Sequence, residues 1–560
     1  MLKTRFTSSI EKVFADEVIE NYPELKKLSC LRGERVNVQF VFTYDNSCPD
    51  TPNLVWPRRS KPVVSGTLAE YATIANVKQV PVTMPVFMGG QDDNMLSRTK
   101  PGLFPDVIEP LHYNGSFSIS GACLFSAWVE IEIPKDISAG EHTLTISLDA
   151  EDFGKSESTV TLEVIGATLP EQTLYFTQWF HSDCIAEYYD VEVWSEKHWN
   201  AIENFARVAY KNGINAILTP VFTPPLDTAV GGERLTVQLV DVSVDNGKYT
   251  FGFDKLDRWI NMCDRIGIKY LEISHPYTQW GAAHAPKIMA TVDGEYKRIF
   301  GWETDSIGEE YKTFLRTFLT ELLAHLKKQG NDERCLFHIS DEPSIEHLET
   351  YKAAKDNIAD LLEGHMIMDA LSNFNFYKLG VVNNPIPSTN HIEPFIEANI
   401  PGLWTYYCVS QWKDVSNRFH TFPAYRNRSI GMQMFKYNIV GFLQWGYNFY
   451  QSFHSNDTIN PAYDLSGDDW VPAGDICSVY PAQNGEALES LRLIVFNEAL
   501  QDMRAMQLLE SFMPHDKIVS EIEAAFGNTI KFDVCATSAK QILAVRERVN
   551  ELIKKAVESK

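Results

Sequence analysis

The chain has 560 residues, more than one hydrophobic core is built to serve, so two or three domains are expected. Its composition, 44% hydrophobic and 22% charged, excludes a disordered or fibrous protein. A formal net charge of −24 with no Lys/Arg-rich run argues against nucleic acid and against an anionic membrane, and it favours a neutral ligand.

The N-terminus, MLKTRFTSSIEKVFADEVIE, lacks the apolar core of a secretion signal, and no later stretch reaches membrane-spanning length free of charge. A cytoplasmic location is therefore expected. To about residue 168 the pattern is β. The runs 36–42 and 127–133 alternate apolar and polar with the period of two that half-buried strands require. A turn-rich segment over 134–142 joins 127–133 to 143–148 as a hairpin-like connection, and a further run follows at 159–165. The expected product is an N-terminal β-sandwich over 1–168.

Beyond Pro170 the rhythm becomes apolar strand, then amphipathic helix. Eight strands are predicted, at 174–180, 216–220, 270–274, 336–340, 366–370, 380–382, 402–408 and 441–445. Helical patterns fall between them at 199–212, 255–266, 311–328 and 345–362, with Gly213 and Gly267 as stops. This is the signature of a (β/α)8 TIM-type barrel, expected over 169–512 and closed by a helix at 488–512. Helical patterns at 518–526 and 538–555 predict a C-terminal helical extension over 513–560. The nine cysteines are scattered without a CxxC pair, which suits free thiols better than disulfides or structural zinc.

In such a barrel the chemistry sits at the C-terminal ends of the strands. The fourth strand ends in Ser340, Asp341, Glu342 and Pro343, two adjacent acids before a proline that is expected to hold Glu342 extended. As an isolated string, Asp-Glu-Pro is more often a helix N-terminus. At a barrel mouth it fits a glycosidase better. A conventional retaining pair places its carboxyls about 5 Å apart on opposite sides of the scissile bond, which sequence neighbours do poorly. The better division makes Glu342 the general acid/base while Asp341 orients the substrate's own 2-acetamido group, whose oxygen attacks the anomeric carbon.

Aromatic platforms are the second signal, because sugars present apolar C–H faces. Trp445, Tyr447 and Asn448 follow strand eight; Trp404, Tyr406 and Tyr407 close strand seven, with Tyr406 or Tyr407 expected to donate to the acetamido oxygen. Trp179 and His181 follow strand one, and His275 and Tyr277 follow strand three. Such aromatics belong to a core more often than to a ligand site. His338, Asp341, Glu342 and His347 match no familiar zinc spacing, and phosphate-binding loops and GxSxG are absent, so neither metal nor cofactor is expected.

The strand His338–Pro343, the segment Phe442–Asn448, and the late helix carrying Leu491, Arg492, Leu493 and Glu498–Asp502 together resemble glycoside hydrolase family 123 and the related uncharacterised-domain family 4091. The resemblance extends to Gly33, Glu34, Arg35 and Gln39 and to the connection from Pro134 to Gly140. It implies a β-sandwich followed by a (β/α)8 barrel. It also implies a retaining exo-β-N-acetylgalactosaminidase that cleaves terminal β-GalNAc from a glycan or small oligosaccharide through an oxazoline, with Asp341 as stabilising acid and Glu342 as acid/base. Galacto and gluco configurations both stay open. So do a catalytically silent sugar-binding barrel and an ordinary glycosidase whose second carboxylate is Asp369 or Asp464. Oligomeric state has no signature in the sequence.

Overall fold

The computed structural model describes residues 1–44, 57–87, 95–111, 114–121 and 123–559; Cys48 lies outside the described residues. The chain forms two compact units, one of Met1–Gln172, Trp412–Lys436 and Leu488–Lys560, the other of Thr173–Gln411 and Tyr437–Ala487.

In the first unit, five strands pair in the order Leu2–Ser8, Arg35–Tyr44, Leu124–Glu132, Ala72–Val82 and Gly102–Pro110. Four more pair in the order Lys27–Arg32, Lys155–Thr168, Gly140–Asp149 and Val63–Ser65. Alternate residues of both sheets enter one buried apolar cluster, among them Val38, Phe40 and Val129 from the first and Leu144, Ile146 and Leu162 from the second. The connection 134–142 is not a hairpin. Leu124–Glu132 has a neighbour on each edge within its own sheet, so the next strand, Gly140–Asp149, pairs instead with Lys155–Thr168 in the other.

The helix Leu491–Leu509 belongs to this unit, whereas the barrel was expected to run to 512. Its buried charges explain the difference. Arg428 bonds Glu498 and Asp502 at 2.7 Å each, Asp502 also takes Arg546 at 3.0 Å, and Arg546 reaches Glu34 at 2.8 Å. Arg492 pairs with Asp106 at 3.1 Å. Charges taken out of water must be paired where they lie, and here the partners belong to the strand-rich unit.

The second unit holds eight parallel strands in the spatial order Asn384–Ile386, Met366–Ala370, Cys335–Phe337, Tyr270–Ile273, Ala216–Thr219, Tyr175–Gln178, Gly441–Gln444 and Trp404–Tyr406. A parallel bridge between Ser388 and Tyr406 joins the two ends, giving a TIM-like barrel. Seven strands lie where the hydrophobic pattern puts them. The sixth was expected at 380–382, where Gly380, at φ +69°, turns the chain instead; the strand forms at Asn384–Ile386. An additional four-stranded sheet, unforeseen, is built from Asp241–Asp245, Lys248–Gly252, Ile288–Val292 and Glu295–Phe300 in the loops after strands two and three. Parallel pairing of Ser243 and Val244 with Thr291 and Val292 fastens those two loops together.

Inward residues of the barrel, including Ala216, Leu218, Leu336, Met368, Trp404, Tyr406 and Leu443, form one buried cluster. Trp404 fits only because its neighbour is a glycine: a Cβ on Gly441 would lie 2.0 Å from the indole. Gly441→Ala is therefore expected to destabilise the protein by roughly 3 kcal/mol through overpacking, measured by denaturant unfolding. Partial recovery in a Gly441→Ala/Trp404→Phe double variant should follow, and unchanged stability of the single variant would refute the packing account.

Candidate active site

The barrel strands deliver Trp179, Asp341, Glu342, Ala370, Tyr406, Cys408, Leu443 and Trp445 to the wall of one cavity of ≈ 240 Å³, which the loop residues Asp227, Trp280, Phe453 and Trp470 complete. Drug-sized clefts run to about 300–1,000 Å³, so this cavity is scaled to a single small ring. A larger cavity of ≈ 450 Å³ lies before the fifth and sixth strands, among Lys355, Asp360, Glu363 and His365. It sits at the N-terminal end of the strands, away from the strand ends where barrel chemistry is placed, has no indole, and reads as a packing feature of that end of the barrel.

The acid pair stands on a strained turn. Glu342 was expected to be extended before Pro343, yet its φ is +40°, a left-handed conformation that non-glycine residues avoid at a cost on the order of 1–3 kcal/mol. Three contacts hold it. Its N–H donates to the Ala370 carbonyl at 3.1 Å, the Tyr406 hydroxyl donates to its Oε1 at 2.6 Å, and Ser344 starts the next helical turn with a capping box closed by His347. The Asp341 carbonyl accepts from the Trp280 N–H at 2.9 Å, while the His347 ring lies where a Cβ on Gly281 would be. One wall of the cavity is thereby fastened to the backbone of the acid opposite it.

Solvent reaches both carboxyls through the cavity, but the surrounding protein is dense. Burial first, then the charges of Glu342 and Asp227, push the Asp341 carboxyl well above the usual range, against the pull of His338. Burial raises Glu342 as well, and the Tyr406 hydrogen bond opposes it. Burial and the nearby Glu342 and Asp475 push Asp227 up to about 7, against Arg234.

Beneath the cavity lies a chain of buried charge. Trp179 Nε1 donates to Glu272 Oε1 at 2.8 Å, and the Thr177 hydroxyl donates to Oε2. His338 bonds Glu272 through Nε2 at 2.7 Å and faces Asp369 with Nδ1 at 3.3 Å; Tyr351 and the Ile339 N–H complete the second carboxylate. Two carboxylates overcome the burial penalty and hold His338 protonated, its pKa raised to about 10. His275 stacks on this imidazolium at 4.1 Å and is driven well below its ordinary value by burial and by that charge. His275, His338 and Asp369 bring ligand-type atoms within 4.8 Å of one another. Both ring nitrogens of His338 face carboxylate oxygens, so these residues form a hydrogen-bonded ion cluster.

Of the residues singled out from sequence, Asp341, Glu342, Trp179, Tyr406 and Trp445 come together around the cavity. Seven others lie outside its lining, each engaged in packing. His181 is buried between the Trp445 carbonyl and Arg234; burial and the Arg234 charge lower its pKa to about 3, against the pull of Asp183 and the Trp445 carbonyl. His275 supports His338. Trp404 stacks on Tyr175, two residues deeper in the barrel than Tyr406. Tyr407, on the opposite face of its strand, packs edge-on against Phe442. Tyr447 donates to the Phe205 carbonyl at 2.8 Å, and Asn448 bonds both backbone groups of His181. Tyr277 likewise donates to the Ala354 carbonyl. Asp369 is committed to His338, and Asp464 to the N–H groups of Ser466 and Asp468, so neither is a second cavity acid. Asp227, Trp280 and Trp470 escaped notice because they sit on long loops without hydrophobic period; an acid in the loop after strand two was the available signal.

Carboxyl groups facing indole rings across a barrel-mouth cavity define the class of sugar-processing barrel enzymes. The family described as "Glycoside hydrolase 123, catalytic domain" matches residues 179–509, and the chain belongs to that family. It is a glycoside hydrolase acting on glycans. Among solved structures it is similar to a family 123 glycoside hydrolase from Clostridium perfringens, studied for glycolipid glycan hydrolysis, at 16% identity and a TM-score of 0.74, covering 100% of this chain and 98% of that one. A putative glycoside hydrolase from Bacteroides vulgatus ATCC 8482 aligns at 11% identity over 87% of this chain and 79% of its own, with a TM-score of only 0.30. No curated protein matches the chain. No helix among the described residues is long and apolar enough to cross a membrane.

The His338 cluster has a pH signature. Folded, the imidazolium keeps its proton to about 10; unfolded, it releases it near 6.5. Its stabilisation is fully present below pH 6.5 and is lost as pH rises through 10. The unfolding free energy of wild type minus that of His338→Gln, followed by denaturation from pH 6 to 10, should therefore shrink steadily; a constant difference would mean that His338 is neutral.

Proposed function

We propose that this enzyme is a retaining exo-β-N-acetylgalactosaminidase in which Asp341 and Glu342 share one sugar ring. Glu342 protonates the glycosidic oxygen as the bond to the leaving group breaks. The acetamido oxygen of the substrate attacks the anomeric carbon from the other face, and the Asp341 carboxylate accepts from the acetamido N–H as positive charge develops on the resulting oxazolinium. The Glu342 carboxylate then takes a proton from water, which opens the oxazolinium at the anomeric carbon, with net retention. Tyr406 holds Glu342 in place in this scheme, a different role from the acetamido donor first expected of it. Trp445, held by Asp475 at 3.0 Å, and Trp179, held by Glu272, offer rigid faces to the sugar's C–H surface.

The observation that carries this reading is the Asp341 carboxylate, which has no protein hydrogen bond among the described residues and lies beside the Tyr406-anchored Glu342 in a ring-sized cavity. Burial and its acid neighbours favour the neutral form of this group in the empty cavity, so a donor from the ligand is what would hold it as the carboxylate. Two stacked sheets before the barrel fit the β-sandwich of the same family, and a short glycan with a terminal N-acetylhexosamine fits the substrate.

Hydrolysis of an aryl β-GalNAc, with the anomer formed followed by NMR, should show retention. Glu342→Gln and Asp341→Asn are each expected to lose 10²–10⁴-fold in kcat/KM. A substrate without the 2-acetamido group should be nearly inert. Because both carboxyls are raised and interact, the two limbs of the pH profile belong to the pair, and Glu342→Gln should remove the alkaline limb. Equal turnover of a plain β-galactoside would refute the participation of the acetamido group.

A further inference from the structure

Resting on the reading of the cavity as a sugar subsite, the geometry points to a specificity residue: we propose that Asp227 accepts hydrogen bonds from ring hydroxyls of the bound sugar and so sets which epimer the enzyme takes.

Asp227 is fixed on all sides except its carboxylate. Its N–H donates to Gln279 Oε1 at 2.6 Å, its carbonyl accepts from the Ser455 hydroxyl at 2.8 Å, and its φ is +46°. The Leu226 carbonyl just before it is taken by Arg234 at 3.0 Å and by the Thr228 hydroxyl at 2.9 Å. A non-glycine residue in that conformation is strained, and four contacts from three chain segments keep it there. The carboxylate itself has no protein hydrogen bond among the described residues and lines the same cavity as Asp341 and Glu342. The nearby cation, Arg234, is committed to Asp183 by two bonds at 2.7 and 2.9 Å.

A third acid placed among two others is unfavourable for the empty site, since like charges repel and each has lost water. Ring hydroxyls repair the deficit by donating to it. Asp341 and Glu342 are taken up with the anomeric and acetamido end of the ring, which leaves the hydroxyls at C3, C4 and C6 for Asp227. Apolar walls such as Trp445, Leu443 and Phe453 discriminate weakly against a moved hydroxyl, whereas a buried acceptor left unpaired discriminates strongly.

The test compares wild type with Asp227→Asn and Asp227→Ala on an aryl β-GalNAc, its 3-, 4- and 6-deoxy derivatives and its C4 epimer, alongside calorimetric binding of free GalNAc and GlcNAc. Asp227→Asn keeps size and shape. It is expected to lower kcat/KM on the parent roughly 10- to 100-fold, mostly through KM, and to weaken sugar binding by a similar factor. One deoxy substrate that is poor for wild type should be no poorer for Asp227→Asn than the parent is, because the same hydrogen bond is already gone. Equal deoxy penalties in wild type and variant, or sugar affinity unchanged by the substitution, would overturn the proposal. So would azide rescue of Asp227→Ala with formation of a glycosyl azide, which would make Asp227 a nucleophile. Absence of turnover by wild type on every aryl hexosaminide would instead count against the hexosaminidase reading, and the binding comparison would still decide the role of Asp227.

Discussion

One imidazole bridging two buried carboxylates holds the candidate-site end of this barrel together. His338 sits between Glu272 and Asp369, and through them engages Thr177 and Trp179 on the first strand, Tyr351 on a helix, and the backbone at Ile339. Each buried carboxylate would be expensive alone; bridged by a cation and satisfied by hydroxyl, indole and amide donors, the set is compensated. The result is a fixed floor. Trp179 cannot tilt without leaving Glu272, and Asp341, three residues beyond His338, starts from a strand end that cannot shift.

Above that floor the structure stores strain. Glu342 and Asp227 both adopt positive φ, as does Trp280, and all three line the cavity. None is glycine, so each conformation is imposed by its neighbours, and each imposing contact is a specific hydrogen bond: Ala370 and Tyr406 for Glu342, Asp341 for Trp280, Gln279 for Asp227. Such preorganisation is what a site needs if its groups are to meet a transition state without rearranging.

Much of the barrel was legible because parallel strands buried on both faces are unbroken apolar runs, and strands such as Cys335–Phe337 stand out from polar flanks. The acid pair was legible for the same reason: it interrupts such a run at its C-terminal end. The aromatics were not, since a buried Tyr447 and a cavity-facing Trp445 are two residues apart with similar neighbours, and only the backbone after the strand decides which turns where. Trp404 and Tyr406 share a face as alternation requires, yet only the one nearer the strand end reaches the cavity. Asp227 and the sheet inserted in the loops were opaque, because long connections carry no period and their order comes from partners distant in sequence. The helix Leu491–Leu509 was placed with the barrel because its pattern follows the eighth strand, while its allegiance is set by ion pairs that no local pattern reveals.

The inserted sheet gives the loops after strands two and three a common frame. Asp227 precedes one half of it and Trp280 precedes the other, and Ser243 pairing with Thr291 makes the halves a single body. The two loops, 220–253 and 276–308, therefore form one exchangeable cassette on either side of the third barrel strand: replaced together, they would set new cavity walls around an unaltered acid pair, whereas changing either alone would break the pairing that shapes them both.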